Sequence, residues 1–318
     1  MTEWRPAATL ATLRARADLL AAIRAFMNDA GVMEVDTGVL ASAPPSERGL
    51  ESFAVAGAGY LVPSPEHALK RLLAAGAGAI FQLGHVFRAG ESGRWHNPEF
   101  CMLEWYRPGA TMADLMDETE RLIGRIAQVA CVPRRRYRDL FQAHAGIDPL
   151  ESTAAQLASC ARDHDVAPGA VGTDDKDPDS RAFWLDLIMS LVVQPRLGLD
   201  GPECVTGFPA DDAVLVAPDP EDDRLSQRFE CYWQGVELAN GAQELTDVVL
   251  AGERMRRECA AIAQSGGPPR APDERLLAAM HAGLPACAGV ALGVDRLLAL
   301  MRGCDGLAPV LAFDWARR

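Results

Sequence analysis

A polar run in the first third of the chain combines residue types that favour binding chemistry over packing. These twelve residues, Gly93 to Glu104, follow Phe87-Arg88 and place an arginine, an asparagine and carboxylates beside several apolar side chains. Burying that mixture is costly unless each polar group has a partner. An arginine fork binds phosphate oxygens in pairs, and Phe100 offers a flat apolar face to a purine. We therefore interpret the run as a site for a triphosphate and a cationic substrate, rather than as exposed strand and loop.

The segment Ser64-Pro65-Glu66 is a second candidate. Residues two apart on an extended segment face the same way, so Ser64 and Glu66 can point at one ligand. The same residues also form an ordinary helix start, with Ser64 as N-cap, Pro65 at the first position and Glu66 in the first turn. Taken alone, the segment favours the helix start.

Two glutamates form a third candidate. Glu237 lies in an otherwise apolar stretch, and Glu244 follows it closely along the chain. Carboxylates so placed suit a divalent metal that bridges phosphates, or an ammonium group. Alternatively, Glu244 and Asp247 flank the next helix because its N-terminus favours negative charge.

The stretch from Gly289 to Leu297 is a fourth candidate. Its glycines let a strand backbone approach a ligand before a helix begins, and Gly293 is the last of them. Arg296, one turn into the helix, can reach a phosphate. The alternative is that Asp295 and Arg296 form a structural ion pair.

Hydrophobic periodicity predicts helices and strands that do not alternate regularly. A β-hairpin is expected at 229–240, with Gln234-Gly235 as its turn. Residues 165–180, rich in Asp, Pro and Gly, are expected to form a surface loop. This order favours an α+β fold on an antiparallel sheet over a doubly wound parallel sheet. The predicted helices are 13–27, 66–75, 111–130, 181–194, 247–264, 273–282 and 294–301, and the other predicted strands are 32–35, 60–62, 80–88, 290–292 and 310–313.

Composition narrows the function classes. The chain has 318 residues, 49% of them hydrophobic, enough for one large domain with a sizeable core. It contains neither an apolar stretch of transmembrane length nor a signal-peptide core. The net charge of −13 disfavours a nucleic-acid-binding face and suits a basic substrate or partner, so we interpret Arg134-Arg135-Arg136 as a solvated turn. The eight scattered cysteines indicate reduced thiols in a cytoplasmic protein.

Taken in chain order, these pieces resemble the catalytic core of a class II aminoacyl-tRNA synthetase of the lysyl type. The first helix and strand resemble motif 1, the dimer-forming element. Phe87 to Glu104 resembles motif 2, and Gly289 to Arg296 resembles motif 3. Glu237 to Gly241 resembles the metal- and substrate-facing strand between them. The run His96 to Phe100 is highly specific to the lysyl, aspartyl and asparaginyl branch.

The resemblance implies an antiparallel β-sheet flanked by helices. It implies a single catalytic domain over residues 1–318, with a surface insertion at about 150–200. Motif 1 begins near residue 10, so we expect no anticodon-binding domain before it. The chain is therefore most similar to the truncated family of elongation factor P lysine ligases, which the pattern from Arg94 to Arg107 and Ala291 also resemble.

This family resemblance implies a two-step reaction. ATP, with Mg²⁺, and lysine or β-lysine give an aminoacyl-adenylate and pyrophosphate, and the acyl group then passes to a lysine ε-amine of elongation factor P. A homodimer is expected, with no tRNA and no membrane as partner. The implied catalytic residues are Arg88, Glu237 and Arg296. The implied ATP-binding residues are Arg88, Asn97, Phe100, Glu237, Leu238, Gly293 and Arg296. The residues implied to bind the amino acid are Ser64, Glu66, Tyr106 and Glu244. The implied metal ligands are Glu237 and Glu244.

Three sites depart from the family pattern. Gly38 stands where motif 1 has a proline, and Gly90 stands where motif 2 has a glutamate, with Glu91 next to it. Ala242 and Gln243 replace an aromatic residue and a histidine, so the identity of the amino acid stays open. Two other functions also stay open: loading of another acceptor, such as a carrier protein or small molecule, and a non-catalytic binding role.

Overall fold

Two β-sheets contain the strands of the part that the computed structural model describes, which is residues 4–166, 178–211 and 213–318. In chain order the strands are β1 (Met33–Glu34), β2 (Leu40–Ala41), β3 (Ala54–Val55), β4 (Gly59–Leu61), β5 (Ile80–Phe87), β6 (Glu99–Pro108), β7 (Arg135–Arg136), β8 (Glu203–Thr206), β9 (Arg228–Trp233), β10 (Val236–Gln243) and β11 (Cys287–Gly293). The larger sheet has the order β1-β5-β6-β11-β10-β9-β8-β7, and the smaller has the order β2-β4-β3. Only β1 with β5 and β7 with β8 pair in parallel among these strands, so the predicted antiparallel sheet is confirmed.

Helices flank the larger sheet, which confirms the predicted α+β class. The α-helices are α1 (Leu10–Asp29), α2 (Glu66–Ala74), α3 (Met112–Ala127), α4 (Tyr137–His144), α5 (Ala154–Asp163), α6 (Pro178–Ile188), α7 (Val248–Gln264), α8 (Glu274–Gly283) and α9 (Val294–Met301). The helix predicted at 181–194 continues beyond α6 as a π-helix, Met189–Val193. Asp247 caps α7 by accepting hydrogen bonds from two backbone N–H groups, so the helix-start interpretation of Asp247 is confirmed.

Strand register places the sequence motifs side by side. Tyr106 on β6 pairs with Gly289 on β11, which in turn pairs with Ala242 on β10. Two residues further along, Glu104 and Ala291 form the next pair on the same face of the ladder. A Cβ atom on Gly289 would lie 2.3 Å from the Tyr106 ring, so the glycine permits this close approach. Three distant parts of the chain therefore meet on one face of the sheet.

Buried apolar residues form three clusters. The first lies between the central strands and helices α1, α3 and α9. The second packs α4, α5 and α6 against β8 and β9, and the third joins α2, α7 and α8. The insertion predicted at about 150–200 contributes to the second cluster and so packs on one end of the sheet. Most of the loop predicted at 165–180 lies in 167–177, outside the described residues.

The predicted C-terminal strand at 310–313 is wrong. A 3-10 turn, Ala308–Val310, precedes these residues and contains a proline, which cannot donate to a sheet ladder. The carbonyl oxygens of Leu311 and Ala312 accept hydrogen bonds from residues 7–8 instead. The segment is therefore held against the start of the chain as an irregular stretch.

The cysteine prediction is wrong for one pair. Cys204 on β8 and Cys231 on β9 lie directly opposite each other and form a disulfide. The other six cysteines are free thiols. Since the two partners are 27 residues apart with no motif around them, the sequence carried no signal for this pairing.

Arginines of the basic cluster after α3 form ion pairs with nearby carboxylates. Arg134 forms ion pairs with Asp117 and Glu120 of α3, and Arg135 pairs with Glu203. Arg135–Arg136 form the short strand β7, so the predicted turn is wrong, although no basic face results. In the described part of the chain, no helix is both long and apolar enough to cross a bilayer.

Candidate active site

A cavity of about 470 Å³ lies over the central strands β6, β11 and β10. It collects every residue that the sequence predicts for the site, from elements far apart in the chain. The predicted residues that line it are Ser64, Glu66, Arg88, Asn97, Phe100, Tyr106, Glu237, Leu238, Glu244, Gly293 and Arg296. Its volume falls within the range that is usual for small-molecule sites.

One end of the cavity carries a chain of buried hydrogen bonds. The Ser64 hydroxyl donates to Glu104 over 2.7 Å and accepts from the backbone N–H of Glu66 over 3.0 Å. The Tyr106 hydroxyl donates to the other oxygen of Glu104 over 2.8 Å. The predicted helix start is wrong by one residue, because α2 begins at Glu66 with Pro65 as its N-cap. Ser64 still binds the first N–H of the helix and lines the cavity, and its contact with a ligand stays a prediction.

Lys70 also lies at this end of the cavity, and it was not predicted as a site residue. Its ammonium is almost fully buried and lies 2.5 Å from both Glu66 Oε1 and Glu244 Oε2. Lys70 follows Glu66 by one helical turn of α2, a spacing that predicts an ordinary surface pair. No local pattern predicts that Glu244 reaches the same ammonium from the end of β10. Glu104 was also given no role, although it shares a strand face with Tyr106.

Burial and mutual repulsion shift the pKa values of these acids. Burial, with repulsion from Glu66, raises the pKa of Glu104 to about 7. Burial likewise raises the pKa of Glu244 to about 7, although Lys70 opposes this shift. For Glu66 the burial effect is overcome by Lys70 and His67, so its pKa is lowered. For Lys70 burial is overcome by the attraction of Glu244 and Glu66, so its pKa is raised and it stays charged.

Arg88 lies at the side of the cavity, at the end of β5. Its Nε donates to the carbonyl oxygen of Pro63 over 3.4 Å, and its guanidinium lies 5.2 Å from the centre of the Phe100 ring. Glu91 approaches it to 3.7 Å. Gly90 has φ +80°, and the turn it makes lets Glu91 line the cavity in place of the glutamate absent at position 90.

Arg296 lies in the first turn of α9, at the opposite side. It donates to the carbonyl oxygens of Glu237 over 3.0 Å and Trp95 over 3.2 Å, and to His96 Nε2 over 2.8 Å. The Glu237 carboxylate lies 3.6 Å from it. Asp295 instead pairs with Arg16 and accepts from the Cys101 N–H, so the predicted Asp295–Arg296 ion pair is wrong.

The Asn97 side chain lines the cavity and also connects two segments of the backbone. Its side-chain amide donates to the carbonyl of Glu99 over 2.6 Å and accepts from the backbone N–H of Trp315 over 3.0 Å. The turn after the motif 2 loop is thereby tied to the C-terminal segment. Contact between Asn97 and ATP stays a prediction.

The departures at Ala242 and Gln243 fall on opposite faces of β10. Ala242 lines the cavity. The Gln243 amide accepts from the Met112 N–H over 3.0 Å and donates to the Cys287 carbonyl over 2.8 Å, which ties β10 to the start of α3. Only Ala242 is therefore placed to affect the ligand.

The carboxylates of the cavity suit a Mg²⁺ ion that arrives with phosphates. Glu237 is about one-third exposed, and one oxygen of Glu244 remains after the other binds Lys70. Mg²⁺ usually takes one or two carboxylates and completes its shell with phosphate oxygens and water. Within the described residues no group of three or more His, Cys, Asp or Glu residues is arranged to hold a metal alone. The donor set thus fits a metal shared with a nucleotide.

The family model of class II tRNA synthetases, types D, K and N, matches residues 1–316. The chain belongs to the class II tRNA synthetase family. Membership in this synthetase family fits the antiparallel sheet and the cavity built over its central strands.

Curated relatives within this range are similar to the chain along nearly its full length. Proteins named elongation factor P–(R)-beta-lysine ligase from Pectobacterium carotovorum strain PC1 and Yersinia enterocolitica serotype O:8 are 41% and 42% identical to it, and each alignment covers 99% of this chain and 98% of the relative. The protein of the same name from Pasteurella multocida is 40% identical, covering 98% of this chain and 97% of the relative.

Proposed function

We propose that this protein uses ATP to activate lysine or β-lysine as an adenylate and transfers the acyl group to a lysine ε-amine of elongation factor P. The observation that carries the proposal is the cavity with two unlike ends. One end has buried carboxylates around Lys70, and the other presents the guanidinium groups of Arg88 and Arg296. The names of the relatives support the same substrates.

The charge at the acidic end fits a diamino acid. Glu66, Glu104 and Glu244 carry three negative charges when ionised, and Lys70 returns one positive charge, which leaves two uncompensated. Lysine and β-lysine each bring two ammonium groups and one carboxylate. Buried charges are stable only when paired, so the two ammonium groups of such a ligand supply what this end lacks.

In the first step, a carboxylate oxygen of the amino acid attacks the α-phosphorus of ATP and pyrophosphate leaves. No protein nucleophile is needed, because the reaction depends on holding both substrates in line and stabilising charge on the phosphoryl oxygens. Arg88 and Arg296 provide fixed positive charge for this purpose. In the second step, the acceptor amine displaces AMP and an amide forms.

The same geometry supports the predicted roles at the nucleotide. Glu237 and the remaining oxygen of Glu244 would hold Mg²⁺, which neutralises charge on the phosphates when bound. Phe100 would lie under the adenine, with Leu238 and Gly293 at the nucleotide. In this arrangement Glu237 also keeps Arg296 oriented toward the cavity.

A homodimer through motif 1 is part of the proposal. Large apolar side chains of the first 40 residues are exposed, including Leu10 (69%), Met33 (51%) and Leu40 (53%). Exposed apolar side chains mark protein contacts where they form a continuous surface, as the motif 1 resemblance implies here. We expect light scattering to report a dimer that Met33→Arg weakens, whereas a monomeric parent protein would contradict this part of the proposal.

The test measures both steps with one panel of amino acids. We expect ATP–pyrophosphate exchange with lysine isomers and not with neutral amino acids, and a mass gain of one acyl group on purified elongation factor P. Exchange without any mass gain would favour another acceptor, such as a carrier protein or a small molecule. No Mg²⁺-dependent ATP binding in calorimetry would instead indicate a non-catalytic binding protein.

A further inference from the structure

A second cavity lies beside the active site and meets it at a shared wall. It has a volume of about 160 Å³ and is lined by parts of segments 37–52 and 61–71 and by two residues at the start of α8. Leu50, Ser64 and Glu66 line both cavities. Its outer rim includes the exposed residues Ser42 and Ala43, so it opens to solvent. We refer to it as the side passage.

The side passage contains polar groups without partners. Glu47 Oε2 and the Ser52 hydroxyl are fully buried, and neither has a hydrogen-bond partner among the described residues. A buried acceptor that is left unpaired costs free energy, so such groups indicate a missing donor. The nearby Arg71 and Arg275 are exposed, and the buried Arg270 donates to the backbone carbonyl of Glu47 rather than to its carboxylate.

His67 and Asp273 form an oriented pair in the same wall. His67 Nδ1 lies 3.0 Å from Asp273 Oδ2, while Asp273 Oδ1 accepts from the backbone N–H groups of Arg275 and Leu276. The aspartate is therefore fixed from both sides. When its Nδ1–H donates to Asp273, a neutral His67 presents Nε2 as a bare acceptor. No described residue hydrogen-bonds to that nitrogen.

We propose that the side passage admits the lysine side chain of the protein acceptor and that His67, oriented by Asp273, is the general base that deprotonates its ammonium. This inference rests on the proposed function, because it concerns the second step at the same site. The two cavities share the residues Leu50, Ser64 and Glu66, and the carbonyl oxygen of Pro63, which lines the passage, accepts a hydrogen bond from Arg88. An amine at the inner end of the passage would therefore lie next to residues that line the active site.

The chemical need for a base is strong. A lysine ammonium has an ordinary pKa of about 10.4, so very little of it is nucleophilic at neutral pH. One proton passes from the ammonium to His67 Nε2, and the amine nitrogen then bonds to the acyl carbon. The bond from that carbon to the phosphate oxygen breaks, AMP leaves with the electron pair, and the second nitrogen proton goes to water.

The electrostatic surroundings suit this role. Burial opposes the charged imidazole, but the hydrogen bond to Asp273 and the charges of Glu47 and Glu66 prevail, so the pKa of His67 is raised above its ordinary value. A base whose pKa lies near the working pH transfers protons most effectively. The partner hydrogen bond lowers the pKa of Asp273 to about 2, which keeps it ionised throughout.

Comparing two nucleophiles tests the inference. Hydroxylamine has a low pKa and attacks an adenylate without a base, whereas the protein lysine needs one. For His67→Gln we expect the ratio of elongation factor P acylation to hydroxamate formation to fall at least about tenfold, since general bases contribute about 10²–10⁴-fold. Asp273→Asn, which can still cap α8, should lower the ratio less. His281→Gln, an exposed histidine of the same helix α8, is the matched control.

A variant at the outer rim of the side passage tests separately whether the acceptor lysine enters through it. Ala43→Trp should lower the same ratio by narrowing the passage for a protein side chain more than for hydroxylamine. A parallel loss of both products in His67→Gln would indicate a structural role, and an unchanged ratio in either variant would overturn the corresponding part. If the parent protein forms hydroxamate but acylates no protein lysine, that result contradicts the proposed transfer to elongation factor P. It then also removes the basis for a role of His67 in that transfer.

Discussion

The two ends of the cavity are built in opposite ways. At the acidic end, Glu104, Glu244 and Lys70 are all buried. Lys70 pairs with Glu244, and Glu104 accepts hydrogen bonds from Ser64 and Tyr106. At the nucleotide end, Arg88 and Arg296 are about one-quarter exposed and are held mainly by carbonyl oxygens. Carbonyl groups orient a guanidinium without cancelling its charge. We therefore expect the acidic end to select its ligand by burial and charge, and the arginine end to keep its positive charge available to a ligand.

Removing Lys70 should break the acidic end most severely. In Lys70→Met, the buried Glu244 and the partly exposed Glu66 lose their common partner. Losing one member of a buried pair, here Lys70 from Glu244, costs about 3–5 kcal/mol. We expect urea unfolding at pH 8 to show a loss of that size, and a smaller loss at pH 5, where the carboxyls take up protons. Arg71→Met, at the exposed neighbouring position of α2, should have little effect. Equal losses in both variants would contradict the comparison.

Removing Arg88 should affect catalysis and leave the fold intact. In Arg88→Ala the phosphoryl charge loses a fixed partner, for which a fall of about 10²–10³-fold in exchange kcat/KM is typical. Because Arg88 is held by one long hydrogen bond and one distant carboxylate, the melting temperature should change little. Arg94→Ala, at a more exposed arginine of the same motif, serves as control. Undiminished exchange would refute the role of Arg88.

Glu104→Gln should separate binding from stability. The folded-state pKa of Glu104 is about 7, above its ordinary value, so its stabilising effect is complete below pH 4.5 and is lost as pH rises through 7. At pH 8 the free energy of unfolding of the variant should therefore exceed that of the parent by up to about 3 kcal/mol. Near pH 4.5 the two free energies should be equal. A less stable variant at pH 8 would show that the carboxylate is paired more favourably than its burial indicates.

The same variant should lose amino-acid affinity. In the parent, Glu104 and Glu244 ionise near pH 7, so KM for lysine should fall as pH rises from 6 to 8. Glu104→Gln should raise KM about tenfold at pH 8, as for one lost charged hydrogen bond, and flatten this pH dependence. The KM for ATP is the internal control, because Glu104 lies at the other end of the cavity.

The smallest effect is expected at Ala242. A ring in Ala242→Phe would enter the cavity beside Tyr106 and Gly289, which reduces the space for the ligand's methylene chain. Discrimination against a homologue with one more methylene should rise by about 1–2 kcal/mol in kcat/KM. Gln243→Ala, one residue away but facing α3, should leave the substrate preference unchanged. A shift in both variants would mean that β10 moves as a whole.

The site residues were largely predictable because each motif carries a local pattern. Arg88, Glu237 and Arg296 stand in runs whose composition is unusual for a core, and the structure collects them in one cavity. Lys70 escaped prediction since its spacing from Glu66 is that of a common surface pair. Its burial depends on Glu244, which arrives from another element, and no local pattern encodes such a meeting.

The same limit explains the errors in the fold. The run at 310–313 has the composition of a strand, but its partner is a short irregular segment at 7–8 rather than another strand. The pairing of Cys204 with Cys231 likewise depends on the register of β8 and β9. Long helices and the β9–β10 hairpin were predictable because their signals are periodic and local.

The buried side chain of Arg270 holds the loop beside the side passage. It donates to the backbone carbonyls of Pro45, Glu47 and Leu50, with distances of 3.1 to 3.4 Å, and is only 2% exposed. Apart from its ion pair with Glu51, this anchor binds backbone oxygens, so it does not depend on which other side chains the loop carries. Substitutions can therefore change the exposed side chains of this loop while its backbone conformation is kept. Variants that accept new protein substrates are best sought in this loop, with Arg270 unchanged.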